Sequence, residues 1–183
     1  MTKATRKVRI FGRIFFVAYM ILALYFMFFS ETLDRTMVSD QYRYNLTLFK
    51  EITRFWNMRH TYGWNITIIN LLGNVVCFMP FGFLLPTLWN KFRKFIPTVF
   101  AGFIFSLIIE VGQLFTIRAT DVDDLIMNTL GTILGFILFK ILSIIFKKLS
   151  NKTMVEEYNK KDSIIKYGPY LYIGIAVISV FFS

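Results

Sequence analysis

Hydrophobic residues in this chain do not alternate with polar ones; they come in long runs, separated by shorter stretches that carry most of the charge. Five runs, near residues 10–29, 65–88, 95–116, 125–146 and 167–182, are candidates to cross a hydrocarbon core roughly 30 Å thick, which takes about 20 residues of helix. Hydrocarbon offers no partner to a peptide N–H or C=O, so a spanning segment must pair its backbone within a helix or a closed barrel. Barrel strands alternate apolar and polar side chains, and these runs do not. The pattern predicts an all-α polytopic membrane bundle of about five transmembrane helices, one membrane domain over residues 1–183, with the fifth run the shortest. A helical period marks the long loop after the first run, where Leu48, Phe49, Ile52, Phe55 and Trp56 recur opposite Lys50, Glu51 and Arg54. This predicts an amphipathic helix lying in the membrane interface, either a cover for the bundle or a lid, with Tyr62 and Trp64 extending an aromatic belt.

Composition agrees, since the chain is 56% hydrophobic and 19% aromatic with 22 Phe, far from the usage of soluble domains. Its net charge of +10 raises nucleic acid as a partner, but the distribution favours the positive-inside bias of membrane proteins. With the N-terminus cytoplasmic, five basic residues precede or open the first run, Lys91, Arg93 and Lys94 lie between the second and third, and six occupy a basic cytoplasmic linker at 147–166. These are fourteen of the 21, against six on the other face, so the terminal helix at 167–183 should end outside the cell. The basic flank of the first run resembles that of a signal peptide, but the run is long and no small-residue cleavage site follows, so a retained anchor is expected. Cys77 is the sole cysteine, which excludes a disulfide within the chain and any cysteine-rich metal site.

Polar residues inside the runs are expensive and therefore informative. Asn70 and Asn74 lie one turn apart with Gly73 and Cys77 beside them, and Pro80 with Gly82 predicts a kink further along. In the third run Gly102, Ser106 and Glu110 follow at intervals of four, then Gln113. In the fourth, Asp121, Asp124, Asn128, Gly131 and Gly135 form another single face, and Arg118 lies in the loop between. On the orientation above, these faces converge in the outer leaflet as an outward-facing pocket or as a polar plug holding the helices. A buried ionisable group such as Glu110 costs roughly 2.5 kcal/mol or more and is a functional candidate, whereas amides commonly serve as interhelical bonds. Asp123 fits the cap of its own helix, Thr120 and Asp123 having capping-box spacing. His60 has no catalytic partner nearby in sequence and reads as a surface residue. A weak internal echo, NLLGNVVCF at Asn70 and NTLGTILGF at Asn128, would give the second and fourth runs similar directions and small-residue faces, but chance accounts for so short a match more readily.

The residues that carry these faces also carry a resemblance. NLLGNVVCFMPFGFLLP, SLIIEVGQ, RATDVDD and NTLGTILG, with Asn70, Asn74, Pro80, Gly82, Glu110, Gln113, Arg118, Asp121, Asp124, Asn128, Gly131 and Gly135, resemble the VanZ-like family over about residues 45–140. NLTLFKEI upstream resembles the family's segment before the second span, with Leu48 where a proline is common. The resemblance implies an envelope membrane protein associated with low-level resistance to the lipoglycopeptide teicoplanin, with no established reaction.

Two functions remain open. In the first, no reaction occurs: a pocket edged by Glu110, Asp121, Asp124 and Arg118, of formal charge −2, binds a membrane lipid or a lipidated amphiphile such as a lipoglycopeptide. In the second, paired carboxylates act as general acid and base on a lipid-linked phosphate or sugar, or hold a divalent cation. The chain has no His–Cys metal spacing, no nucleophile–His arrangement and no glycine-rich phosphate loop, so neither a metal nor a cofactor is expected. Transport ranks lower because the runs show no clear inverted repeat.

Overall fold

The computed structural model describes residues 3–29, 44–114 and 120–146, together with 168, 170, 173 and 174. In chain order the elements are α1 (Lys3–Phe29), β1 (Tyr44–Asn45), α2 (Lys50–Asn57), α3 (Arg59–Tyr62), α4 (Trp64–Leu88), a short 3-10 helix (Asn90–Arg93), α5 (Phe95–Gln113), β2 (Thr120–Asp121) and α6 (Val122–Ile145). Among the described residues, four stretches are long and apolar enough to span a membrane: Ile10–Phe28, Thr67–Leu88, Phe95–Gln113 and Val122–Ile145. The basic linker and most of the expected fifth span lie outside the described residues. Within that span, Ile173 packs on the hydrophobic core and the Tyr170 hydroxyl lies 3.0 Å from the Lys91 ammonium.

The exterior is apolar, with Phe11 72% and Ile96 77% exposed. Such a surface aggregates in water and is solvated by acyl chains in a bilayer, so burial here follows helix–helix contact rather than escape from solvent.

The centre of the bundle is the α4–α6 pair. Gly131 faces the Val75 carbonyl, Gly135 the Met79 carbonyl, and Gly82 the Thr132 carbonyl, so closely that a Cβ at any of the three would collide with backbone. Because 75 pairs with 131 and 79 with 135, the two helices run parallel, in the direction the sequence echo suggests. Gly73 of the echo faces open space, however, so α4 contributes a different small-residue face. Gly102 of α5 meets the Thr132 side chain, and α1 joins α4 through Gly12 beside Leu88 and through the Tyr19 hydroxyl donating to the Cys77 carbonyl at 2.6 Å. Phe16, Phe78, Phe81 and Phe105 fill the space between α1, α4 and α5, Phe81 and Phe105 stacking at 5.1 Å. The turn at Asn90–Arg93 tucks Trp89 and Phe92 under this core, and the Thr98 hydroxyl ties that turn to α5 by donating to the Phe92 carbonyl.

α4 is one unbroken run of helix through Pro80 and Pro86. The all-α fold also carries a two-residue parallel bridge, Tyr44 with Thr120 and Asn45 with Asp121. It is too short to change the class, but it draws the first loop onto the start of α6.

Candidate functional site

Asp121 begins the site. Its backbone is extended, and its side-chain Oδ1 accepts the Asp123 N–H at 2.8 Å, so Asp121 is the N-cap of α6. The expected capping box between Thr120 and Asp123 is therefore wrong. The Thr120 hydroxyl donates to the Glu110 carbonyl at 3.0 Å, and Asp123, only 2% exposed, turns away from its own helix. Its carboxylate accepts the backbone N–H groups of Phe49 at 2.6 Å, Glu51 at 3.0 Å and Ile52 at 3.4 Å. The first N–H groups of any helix lack intrahelical partners and lie at its positive end, and α2 has no side-chain cap of its own. Asp123 supplies that cap from across the fold. Phe49 sits in the left-handed region with φ 62, which costs about 1–2 kcal/mol for a residue with a Cβ, and its bond to Asp123 helps to hold it there.

Asn45 braces the same junction. Its amide nitrogen donates to Asp121 Oδ2 at 3.1 Å, while its Oδ1 accepts the Thr47 N–H at 3.1 Å. From α5, Glu110 is 4% exposed and accepts the Asp121 N–H on Oε2 at 3.0 Å. From α4, the Asn74 amide donates to Asp124 Oδ1 at 2.5 Å. Asn74, Glu110, Asp121 and Asp124 thus meet at the first turn of α6. Gln113 and Asn128, both buried, reach to neighbouring helices: Gln113 donates to the Met27 carbonyl of α1 at 3.0 Å, and Asn128 to the Ser106 hydroxyl of α5 at 2.9 Å. The Asn70 side chain and Arg118 lie outside the described residues.

Glu51 joins this acidic group. Burial first, then the charges of Asp121 and Asp124 and, less, Asp123 push its pKa from 4.5 up to about 7. Arg54 pairs with it at 2.8 Å, but both side chains are partly in contact with solvent, where an ion pair is screened, and the carboxylates with burial prevail. Asp121 is also raised, by burial, against the lowering effect of its bonds from Asp123 and Asn45. In sequence Glu51 belongs to the polar face of an interfacial helix, and only the docking of α2 distinguishes it. Asn45 lies in the NLTLFKEI segment, so its place at the site does have a sequence signal.

This arrangement accompanies a family match. A family model described as VanZ/LLP1 covers residues 16–144, which takes in every candidate residue from Asn45 to Asn128. The chain belongs to the VanZ/LLP1 family. Protein VanZ of Enterococcus faecium is 34% identical to it over 109 residues, 59% of this chain and 58% of that protein, so the chain matches less than two thirds of this relative's length. No solved structure matches the chain. In this VanZ/LLP1 member, a multi-pass membrane protein by its apolar helices, the site consists of carboxylates and amides under an amphipathic helix. Among the described residues no group of His, Cys, Asp and Glu could hold a metal ion. The arrangement is suited to pairing with ammonium or guanidinium groups.

Proposed function

We propose that this VanZ/LLP1 member lowers susceptibility to lipoglycopeptides such as teicoplanin by binding a lipidated amphiphile, or a membrane lipid, at the α2–α6 junction on the outer face of the membrane. The observation that carries the reading is Glu51, whose pKa is raised to about 7 by burial first and then by the charges of Asp121, Asp124 and Asp123, on a helix whose Trp56 is half exposed. The carboxylates gathered around Glu51 favour a cation, and an interfacial α2 would set that charge beside the acyl region. Arg118, in the adjoining loop, supplies a partner for phosphate or carboxylate. The outward orientation follows the basic-residue asymmetry.

Glu110→Gln, Glu51→Gln, Asp124→Asn and Arg118→Ala, each expressed and folded as wild type, are expected to restore teicoplanin susceptibility and weaken binding of the antibiotic to purified protein. Unchanged susceptibility and binding in all four would end the proposal. A second reading, an intramembrane enzyme acting on a lipid-linked phosphate or sugar, draws support from the same Glu51. A carboxyl group whose pKa is raised to about 7 has the properties of a general acid. Incubating the protein with lipid extract and Mg²⁺ separates the two: a mass change in a lipid, lost in Glu51→Gln, would favour catalysis.

A further inference from the structure

The end of the bundle away from the acidic site contains a cavity of about 460 Å³ where α1 and α6 both approach the end of α4. Phe11 and Phe15 of α1, Phe83 and Leu88 of α4, and Phe139 and Phe146 of α6 make walls that are almost wholly apolar. The charged lining residue is Arg93, on the turn between α4 and α5. Its guanidinium lies 5.9 Å above the Phe139 ring, and partial burial lowers its pKa from the ordinary value. Lys91 and Lys94 flank it, both exposed.

We propose that this cavity binds an anionic phospholipid, one acyl chain lying among the phenylalanines and the phosphate resting on Arg93. Free phosphate would use the guanidinium but none of the walls. A zwitterionic lipid would bring its ammonium group toward a turn that already carries three positive charges. A guanidinium presents planar paired donors that match phosphate oxygens, and basic pockets between transmembrane helices are recurrent headgroup sites. The volume is in the range of pockets that enclose a small ligand. This site is independent of the acidic one, so either proposal can fail alone.

The test uses the full chain in nanodiscs of equimolar phosphatidylglycerol and phosphatidylcholine, followed by detergent exchange and native mass spectrometry. Wild type is expected to retain one phosphatidylglycerol per chain. Arg93→Gln should weaken that retention about tenfold, the value of one charge-assisted hydrogen bond, with partial recovery in Arg93→Lys. Ser143→Phe, which narrows the cavity without touching Arg93, should reduce it too, while Lys140→Gln, outside the cavity, should not. The proposal is overturned by equal retention of both lipids, by retention insensitive to both Arg93→Gln and Ser143→Phe, or by loss of the lipid to excess inorganic phosphate alone. A dimer that carries no lipid and dissociates in Ser143→Phe would assign the cavity to a second copy and would equally overturn it.

Discussion

Asp123 holds three backbone N–H groups of a helix that lies more than seventy residues earlier in the chain. Removing it should cost more than an ordinary surface substitution, because three N–H donors at Phe49, Glu51 and Ile52 lose their shared acceptor and the strained Phe49 loses its restraint. Asp123→Ala is expected to cost about 1–2 kcal/mol in the docking of α2, seen as faster hydrogen exchange across residues 50–57 with α4 and α6 unchanged. Uniform loss of protection over the whole bundle would instead make Asp123 a global keystone. Glu51 makes the same junction sensitive to pH. Its folded pKa, about 7, lies above its ordinary 4.5, so the folded protein holds this proton more tightly than the unfolded chain does. The resulting stability is fully present below about 4.5 and is lost as pH rises toward 7. Asp121, also raised, acts in the same direction. Protection of α2 should therefore be greater at pH 5 than at pH 8, and Glu51→Gln should flatten the difference; a profile unchanged in that variant would assign the dependence to another group.

Among the elements, α4 and α6 depend on glycine for a contact that no larger residue permits. Adding a methyl group at Gly135 would drive it into the Met79 carbonyl, which is backbone and cannot turn aside. Gly135→Ala should lower stability by about 1–3 kcal/mol, as overpacking does. Gly73 is helical and faces open space, so Gly73→Ala should raise stability by up to about 1 kcal/mol through helix propensity alone. Unfolding both variants in detergent checks the contrast, and equal effects would show that packing does not set this helix pair. The sequence shows glycines at both positions of the NLLG and NTLG echo and treats them alike. Only the relative rotation of the two helices tells which of them touches a neighbour.

At the scale of the whole molecule, the basic-residue asymmetry predicts the first loop outside the cell and the linker at 147–166 inside. Cysteines placed at positions 39 and 150, in a chain lacking Cys77, should react with an impermeant reagent in intact cells at 39 and not at 150. The reverse pattern would invert the bundle and move the acidic site to the cytoplasmic side. Long apolar runs alone determined that this chain forms membrane helices, because the bilayer leaves a buried backbone few other solutions. Fixed polar spacings similarly made Asn74, Glu110, Asp121 and Asp124 legible as a group, since each lies on a helix, or at its cap, where the helical period assigns a face. The partners were decided by tertiary structure alone. Asp123 caps α2 rather than α6, and Glu51 belongs to the acidic group rather than to solvent. Both follow from the docking of the loop that holds Asn45 and Phe49 onto the start of α6, a contact between residues more than seventy positions apart. Helical periodicity describes which side of a segment a residue occupies, and it contains no information about which distant segment comes to rest against that side.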